Sequence, residues 1–203
     1  HKIYKWLDVR YSGSFATFFQ SQPNNEGAYA NPIRSASMTN PTNLIYNSDG
    51  TYNTNLEGSY YHNVVLVSDY NTFKGRTNKT TNSVSFVARI LNGLEFTPSI
   101  SIDIQDLSDK YYYDPRTPDG EPVGGRATVG NSRQSSLQTS HILTYNTVIG
   151  GNHRISALLG FEYKDYRSRM SSTNGIGFPT SYFKLISQAA EVTSWSETFG
   201  GYK

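Results

Sequence analysis

The sequence has no cysteine and no long apolar run, and it contains only two methionines and two tryptophans. Without cysteine, the 203-residue chain forms neither disulfides nor thiolate or cysteine-ligated metal sites. A transmembrane helix is excluded because it needs roughly 18 or more consecutive apolar residues. The formal net charge is only +2 and no lysine- or arginine-rich run occurs, so nucleic acid is not an expected partner.

Apolar residues are also scarce, while tyrosine is abundant. Hydrophobic residues make up 36% of the chain, and 16 residues are tyrosine. A soluble domain of this size would normally carry a larger apolar share for its core. A polar, tyrosine-rich chain suits an outer-membrane barrel, which has a polar lumen and aromatic girdles at its rims.

The residues from Leu94 to Gln105 alternate strictly between apolar and polar. A period of two predicts a strand with one apolar and one polar face. Weaker alternation recurs in 7–19, 83–90, 137–145 and 155–163, and no stretch shows a sustained helical period. The apolar positions of the first segment are Leu94, Phe96, Pro98, Ile100, Ile102 and Ile104.

Short and long connections alternate between these segments. Short turns are predicted at Lys5-Trp6, at Asn92-Gly93 and within 146–154; Asn-Gly is typical of a two-residue hairpin. The predicted long connections are 20–78, 114–132 and 171–194. Short turns at one end and long loops at the other are the periplasmic and extracellular layout of outer-membrane barrels. The predicted fold class is therefore all-β, with antiparallel up-and-down strands forming part of a large transmembrane β-barrel.

Residues 1–203 are expected to form a single partial barrel segment of about five strands plus part of a sixth. So few strands cannot close a barrel of sensible tilt and shear. His1 and Lys203 fall within strand-like sequence, and neither an initiating Met nor a signal peptide is present. On this interpretation the apolar face contacts lipid, and charged residues of the other face, such as Glu95 and Asp103, line a watery lumen.

Two alternatives remain open at the level of sequence. A soluble secreted β-sandwich that binds glycans would show the same alternation, with its apolar faces packed together. A glycoside hydrolase needs two carboxylates within ~10 Å, whereas Glu95 and Asp103 are separated by ~26 Å of strand. Neither a G-x-S-x-G motif nor a histidine with a companion acid occurs. We therefore predict no enzyme, no cofactor and no metal site.

The C-terminal third carries a specific resemblance. Residues 143–163 and 174–203 resemble the SusC/RagA-like family of TonB-dependent outer-membrane transporters, and residues 40–55 resemble a loop of the same family. The matching positions are Leu143, Tyr145, Asn146, His153, Ala157, Leu158, Leu159, Gly160, Glu162, Gly177, Phe178, Pro179, Ser196, Phe199, Gly200, Gly201 and Tyr202.

The resemblance implies a barrel of about 22 strands with a plug in its lumen. It also implies a location in the bacterial outer membrane, in contact with lipid, and import of oligosaccharides or peptides with a SusD-like lipoprotein and TonB. The family's plug and TonB-contacting N-terminal regions are expected to be absent from these residues, so no energy-coupling residue is assigned.

Aromatic residues near predicted strand ends are the candidate ligand-binding residues, because a ring offers a broad apolar surface for a sugar or side chain. The alternative is packing, either in a girdle at the lipid headgroups or within the loops. The candidates are Tyr60, Tyr61, Tyr111, Tyr112, Tyr113 and Trp195.

Overall fold

A computed structural model describes residues 2–21, 31–59 and 62–203. Its strands form one antiparallel sheet in which each strand pairs with the next along the chain. The predicted all-β, up-and-down fold is therefore confirmed. The strands are β1 (Lys2–Tyr4), β2 (Leu7–Ser21), β3 (Thr72–Leu91), β4 (Leu94–Tyr113), β5 (Arg126–Ile149), β6 (His153–Ile176) and β7 (Glu191–Tyr202).

The strands extend further toward the long connections than the sequence pattern indicated. β5 begins at Arg126, β6 continues to Ile176 and β3 begins at Thr72, so the predicted connections 114–132, 171–194 and 20–78 were too long. These extensions are rich in Ser, Thr and Asn on both faces. The alternation of apolar and polar residues disappears where neither face of the sheet contacts an apolar environment. The backbone hydrogen bonds between the strands nevertheless continue.

The first long connection contains two short helices that the sequence did not reveal. They are α1 (Pro32–Met38) and α2 (Val64–Tyr70), of seven residues each. Asn31 caps α1 by accepting from the Arg34 N–H at 3.0 Å, and Asn63 caps α2 by accepting from the Val65 N–H at 3.1 Å. Two turns are too few to establish a helical period in the sequence.

The short turns have the predicted form. Leu91 pairs with Leu94 across Asn92-Gly93, and Tyr4 pairs with Leu7 across Lys5-Trp6. Gly93 has φ +80°, a backbone conformation that is energetically unfavourable for any residue with a Cβ. A Cβ on Gly93 would also lie 1.9 Å from the Asn146 carbonyl oxygen, so glycine is required here on two grounds.

Strand register gathers the predicted apolar residues on one face. Directly opposed residues of an antiparallel pair lie on the same face, and Ile100 opposes both Val84 and Thr139. We call this side the apolar face and the other the polar face. Members of the apolar face include Leu7, Val9, Tyr11, Phe15, Val84, Phe86, Ala88, Phe96, Ile100, Ile102, Ile104, Leu137, Leu143, Ile155, Leu159, Phe161 and Tyr163.

No second layer covers the apolar face within the described residues, because every described strand belongs to the same sheet. Ile100 is 41% exposed and Ile102 is 44% exposed. A sandwich would have sealed these side chains beneath another sheet. The main buried cluster lies instead at the long-connection end, around Tyr112, Ala127 and Phe178.

Candidate functional site

The height of the apolar face matches that of a membrane. From Leu94 to Ile104 the strand rises about 33 Å along its axis. At a tilt near 40° this corresponds to about 25 Å along a barrel axis, which is the height of the apolar band of outer-membrane barrels. The apolar face therefore has the dimensions of a lipid contact.

His141 is a polar exception on the apolar face. Its ring stacks between Phe96 and Phe161, with centroid separations of 6.1 Å on each side. His141 directly opposes Phe161 on β6, and Phe96 lies in the next row on β4. The imidazole therefore continues an aromatic stripe across the three strands. Aromatic stacking accommodates the ring at a position where the sequence pattern appeared broken.

The polar face carries hydrogen-bonded ladders between strands. Ser99 and Ser140 share a 2.8 Å hydrogen bond, and Gln138 donates to Glu162 at 2.5 Å. Near the short turns, Arg89 forms ion pairs with Asp8 at 2.5 Å and with Glu95 at 3.4 Å. Such groups would be costly in lipid, so this face suits an aqueous lumen.

At the other end of the sheet, the long connections are joined by a buried polar contact. The Asn71 Oδ1 atom accepts from the Asp114 N–H at 2.8 Å and from the Thr117 hydroxyl at 3.0 Å. Asp114 and Thr117 are both fully buried. This contact fixes the segment that follows β4 against the end of α2.

An arginine extends this contact toward the loop surface. The Arg116 guanidinium donates to both carboxylate oxygens of Asp114, at 2.8 and 2.9 Å. These hydrogen bonds raise the pKa of Arg116. The same guanidinium lies 3.6 Å from the ring centroid of Tyr70, a close cation–π contact. Arg116 therefore has a defined position although its side chain is half exposed.

A cavity of about 310 Å³ opens beside Arg116. Glu121 contributes a carboxylate and His62 an imidazole to its walls, while Leu66 and the prolines contribute apolar surface. A cavity with a few convergent polar groups is suited to a small portion of a polar ligand. The lining residues are Thr54, His62, Asn63, Leu66, Pro115, Arg116, Pro118 and Glu121.

The carboxyl group of Asp119 lies close to this region and is partly buried. Burial raises the pKa of Asp119, and the nearby His62 and Arg126 oppose that change. Its Oδ2 atom has no hydrogen-bond partner among the described residues. A neutral side chain would suit this position better than a charged one.

The last long connection folds back onto the strand ends through the Gly177-Phe178-Pro179 element. The Phe178 N–H donates to the Gly124 carbonyl at 2.8 Å, and the Gly177 N–H donates to the Val123 carbonyl at 3.0 Å. The Phe178 ring packs edge-to-face on Tyr112, with centroids 5.4 Å apart. This motif thus locks two neighbouring loops together.

The structure separates the predicted aromatic candidates. Tyr111 and Tyr113 lie on the polar face, where both rings contact Phe73 with centroid distances of 5.8 and 5.5 Å. Tyr112 lies on the apolar-face side, is 2% exposed and packs against Phe178 of the last long connection. Trp195 is 76% exposed on that same side of β7. Tyr60 and Tyr61 lie outside the described residues.

The tyrosine triplet lies well beyond the end of the apolar band on β4. Tyr112 lies eight residues beyond Ile104 on β4, which places it about 26 Å further along the strand. Headgroups occupy only about 5–8 Å on each side of the hydrocarbon core. The girdle interpretation of these three residues stays a prediction, and on β4 they lie at the loop end.

Sequence reasoning missed the cavity residues His62, Arg116 and Glu121. One signal was available, since Asp114-Pro115-Arg116-Thr117 has the composition of a side-chain-stabilised turn. The distant partner Asn71 could not be inferred from spacing. Among the described residues, no group of three or more His, Asp or Glu is arranged to hold a metal ion. No helix in the described ranges is long and apolar enough to span a membrane.

The single sheet, its apolar band and its polar reverse side define a segment of transmembrane β-barrel wall. The sequence is similar to TonB-dependent receptor P26 of Formosa agariphila, with 26% identity over 191 residues, covering 84% of this chain and 18% of that protein. TonB-dependent receptor P3 of the same organism is 24% identical over 162 residues, covering 80% of this chain and 16% of that protein. No family model matches the chain.

Solved structures show the same fold. The RagAB peptide importer in its closed–closed state superposes with a TM-score of 0.80 at 16% identity, over 99% of this chain and 23% of the matched chain. A second structure of the RagAB peptide transporter gives a TM-score of 0.80 at 17% identity, over 98% of this chain and 23% of the matched chain. The chain thus spans about a fifth of its relatives' length, and these relatives are receptors and transporters.

These comparisons confirm the resemblance to SusC/RagA-like TonB-dependent outer-membrane transporters. They also confirm that the sheet has the fold of part of a large β-barrel and that the outer membrane is its location. The specific residues that resembled the family now have structural roles. Phe178 is a loop-packing residue, and Glu162 is a hydrogen-bonding residue of the polar face.

Proposed function

We propose that this chain forms part of the barrel wall and outer loops of a TonB-dependent importer of oligosaccharides or peptides. The observation that carries this proposal is the uncovered sheet, with an apolar band on one face and hydrogen-bonded polar ladders on the other. Such a sheet is stable in hydrocarbon only when its edges are paired in a closed barrel. Similarity to TonB-dependent receptors supports the importer class.

The loop end contributes to substrate recognition in this proposal. The cavity beside Arg116 offers a cation, the Glu121 carboxylate and the His62 imidazole within one concave surface. These groups suit the hydroxyls of a sugar or the charged groups of a peptide. The rings of Tyr111 and Tyr113 face the lumen at the end of β4, directly before the loop that carries Arg116 and Glu121, and provide a stacking surface. Trp195, Tyr60 and Tyr61 remain candidates for the same role.

The partners follow from the proposed mechanism. A substrate held by the outer loops would be enclosed by a SusD-like surface lipoprotein, and TonB would supply energy from the periplasmic side. RagAB, whose chain has the same fold, is described as a peptide importer. The long connections lie at the end of the sheet where such a lipoprotein would meet the barrel.

Uptake by cells that produce the whole receptor containing this segment tests the proposal. Fluorescent oligosaccharides and peptides are supplied, with and without TonB, to cells carrying the natural receptor or the variant R116A/E121A. We expect TonB-dependent uptake of one ligand class and a loss of about tenfold or more in the variant, because two charge-assisted contacts are removed.

The matched control is R34A/E57A, which removes one cation and one anion from the first long connection outside the cavity lining. Its uptake should stay within about twofold of the natural receptor, as expected for exposed charges. Uptake that persists without TonB or without the receptor would disprove the importer function. Equal uptake by both variants would remove the cavity from substrate recognition.

A further inference from the structure

A cluster of charged residues lies on the apolar-face side of the sheet, immediately above the apolar band. One row beyond Ile104, the same face carries Arg133 on β5 and Arg169 on β6, and on β6 the charges begin lower, with the Asp165–Arg167 ion pair in the rows of Ile102 and Ile104. We call Arg76, Arg133 and Arg169 the arginine cluster. Together they border a depression of about 210 Å³, also lined by Asn78, Asp106, Leu107, Ser108, Asn131, Ser132 and Ser171.

The arginine cluster contains an unfavourable pair. Arg133 and Arg169 are directly opposed across β5 and β6. Opposed like charges on neighbouring strands destabilise a sheet. Asp106 lies 3.7 Å from Arg133, and Glu197 lies 3.5 Å from Arg169, so each carboxylate makes only a long ion pair. Both arginine side chains are more than 60% exposed and so present donors to the surroundings.

The neighbouring charges do not balance the cations. From the row of Asp106 outward, the described strands β3–β7 place five cations and two carboxylates on this face. Lys74 and Lys110 are directly opposed and form a second like-charged pair. A surface with this excess attracts anions. The cations are Lys74, Arg76, Lys110, Arg133 and Arg169; the carboxylates are Asp106 and Glu197.

The height of the cluster selects the anion. Asp106 lies two residues beyond Ile104 on β4, which corresponds to about 5 Å along the barrel axis at a 40° tilt. Headgroups occupy the first 5–8 Å or so beyond the hydrocarbon core. Groups on the outward face around Asp106 therefore meet lipid headgroups rather than the lumen, and because the strands are tilted each neighbouring strand shifts this height by about 3 Å.

We propose that the arginine cluster binds the phosphate groups of the phosphorylated glycolipid in the outer leaflet. Guanidinium groups match phosphate oxygens in a bidentate geometry. A phosphate placed between Arg133 and Arg169 would also relieve their mutual repulsion. The inference rests on the barrel placement given under the proposed function and adds a lipid site that transport itself does not require.

Lipid binding to the whole receptor in detergent tests the inference. Native mass spectrometry compares bisphosphorylated lipid A, the same lipid after phosphatase treatment, and inorganic phosphate. The variant R133Q/R169Q should bind bisphosphorylated lipid A about tenfold more weakly. The variant D106N should bind it more tightly, because it removes a competing carboxylate. The control K79Q/K164Q removes two cations from the polar face and should stay within about twofold of the natural receptor.

Each outcome decides the inference. A phosphate-dependent preference lost in R133Q/R169Q and strengthened in D106N supports it. Equal binding of the two lipid forms, or equal binding by natural receptor and R133Q/R169Q, overturns it. Inorganic phosphate that binds as tightly as the lipid would show a general anion site and would also overturn it. Heat-dependent migration of the receptor on gels reports barrel folding separately, so failure of the barrel proposal is distinguishable.

Discussion

At the scale of single residues, a few polar side chains determine how the loop end is held. Asn71 joins α2 to the segment after β4, and Asp114 positions both its own turn and Arg116. These contacts are buried or half-buried, where an unpaired polar group is expensive. The cavity therefore depends on residues that do not line it.

Replacing Asn71 with alanine should loosen this end of the protein. The buried N–H of Asp114 would lose its acceptor, at a cost of about 1–3 kcal/mol, whereas the Thr117 hydroxyl would keep its 2.7 Å hydrogen bond to the Asp114 carbonyl. Hydrogen exchange in residues 114–125 and 64–70 should accelerate accordingly. Asn43→Ala is the control, since it removes only an exposed hydrogen bond to the Glu57 carbonyl. Unchanged protection in N71A would contradict this role.

Asp119 should make the same loop sensitive to pH. Its pKa is raised from the ordinary value of 3.8 by burial, so the folded loop favours the protonated acid. The resulting stability is present below pH 3.8 and is lost as the pH rises through the raised pKa. D119N should therefore increase the hydrogen-exchange protection of residues 114–125 at neutral pH but leave it unchanged in acid.

Asp49 provides a control of opposite sign. Hydrogen bonds from the Thr51 side chain and backbone lower the pKa of Asp49. The stability it provides is present above the ordinary pKa of 3.8 and lost as the pH falls through the lowered one. D49N should thus weaken protection of residues 47–52 at neutral pH. The same direction of change in D49N and D119N would refute this electrostatic interpretation.

At the scale of elements, the strands that could be predicted are those whose two faces contact different environments. Alternation at 94–104 predicted β4 because its residues face lipid on one side and water on the other. The outer extensions of β5 and β6 were missed because both faces are polar there, and α2 was missed because seven residues set no period. The arginine cluster and the cavity depend on strand register and loop packing, which spacing alone does not encode.

The turn between β3 and β4 offers a test of how closely the strands pack. A Cβ on Gly93 would meet the Asn146 backbone of the next hairpin at 1.9 Å, whereas one on Gly150 would meet nothing within 4 Å. Both glycines have positive φ, so alanine at either costs about 1–2 kcal/mol in backbone strain. G93A should lower the yield of folded barrel well below that of G150A. Equal yields would show that the β3–β4 turn does not contact β5.

At the scale of the whole molecule, the sheet is a wall between two environments. Each strand pairs with the next one along the chain. The apolar band has the height of a bilayer core, and the buried cluster lies beyond that band. The chain needs no second layer of its own polypeptide because lipid takes that place. A soluble sandwich would require the reverse arrangement, with Ile100 and Ile102 buried.

An arginine introduced on the two faces should therefore have unequal effects. Ile100→Arg places a charge on the apolar face near the middle of the band, which should destabilise the folded receptor by about 2–4 kcal/mol. Ser101→Arg, on the adjacent residue, points to the polar face and should change the free energy of unfolding by less than about 1 kcal/mol. Urea unfolding in lipid vesicles measures both. Equal effects would mean that the two faces meet the same environment.

The most direct test uses the absence of cysteine from this chain. Single cysteines at positions 99, 100, 101 and 102 of the membrane-embedded receptor carry spin labels, and paramagnetic resonance measures their collisions with oxygen and with a water-soluble nickel chelate. We predict that labels at Ile100 and Ile102 collide mainly with oxygen, which partitions into lipid, and that labels at Ser99 and Ser101 favour the nickel chelate. Labels at 100 and 102 that are shielded from both reagents, or that favour nickel, would contradict the account.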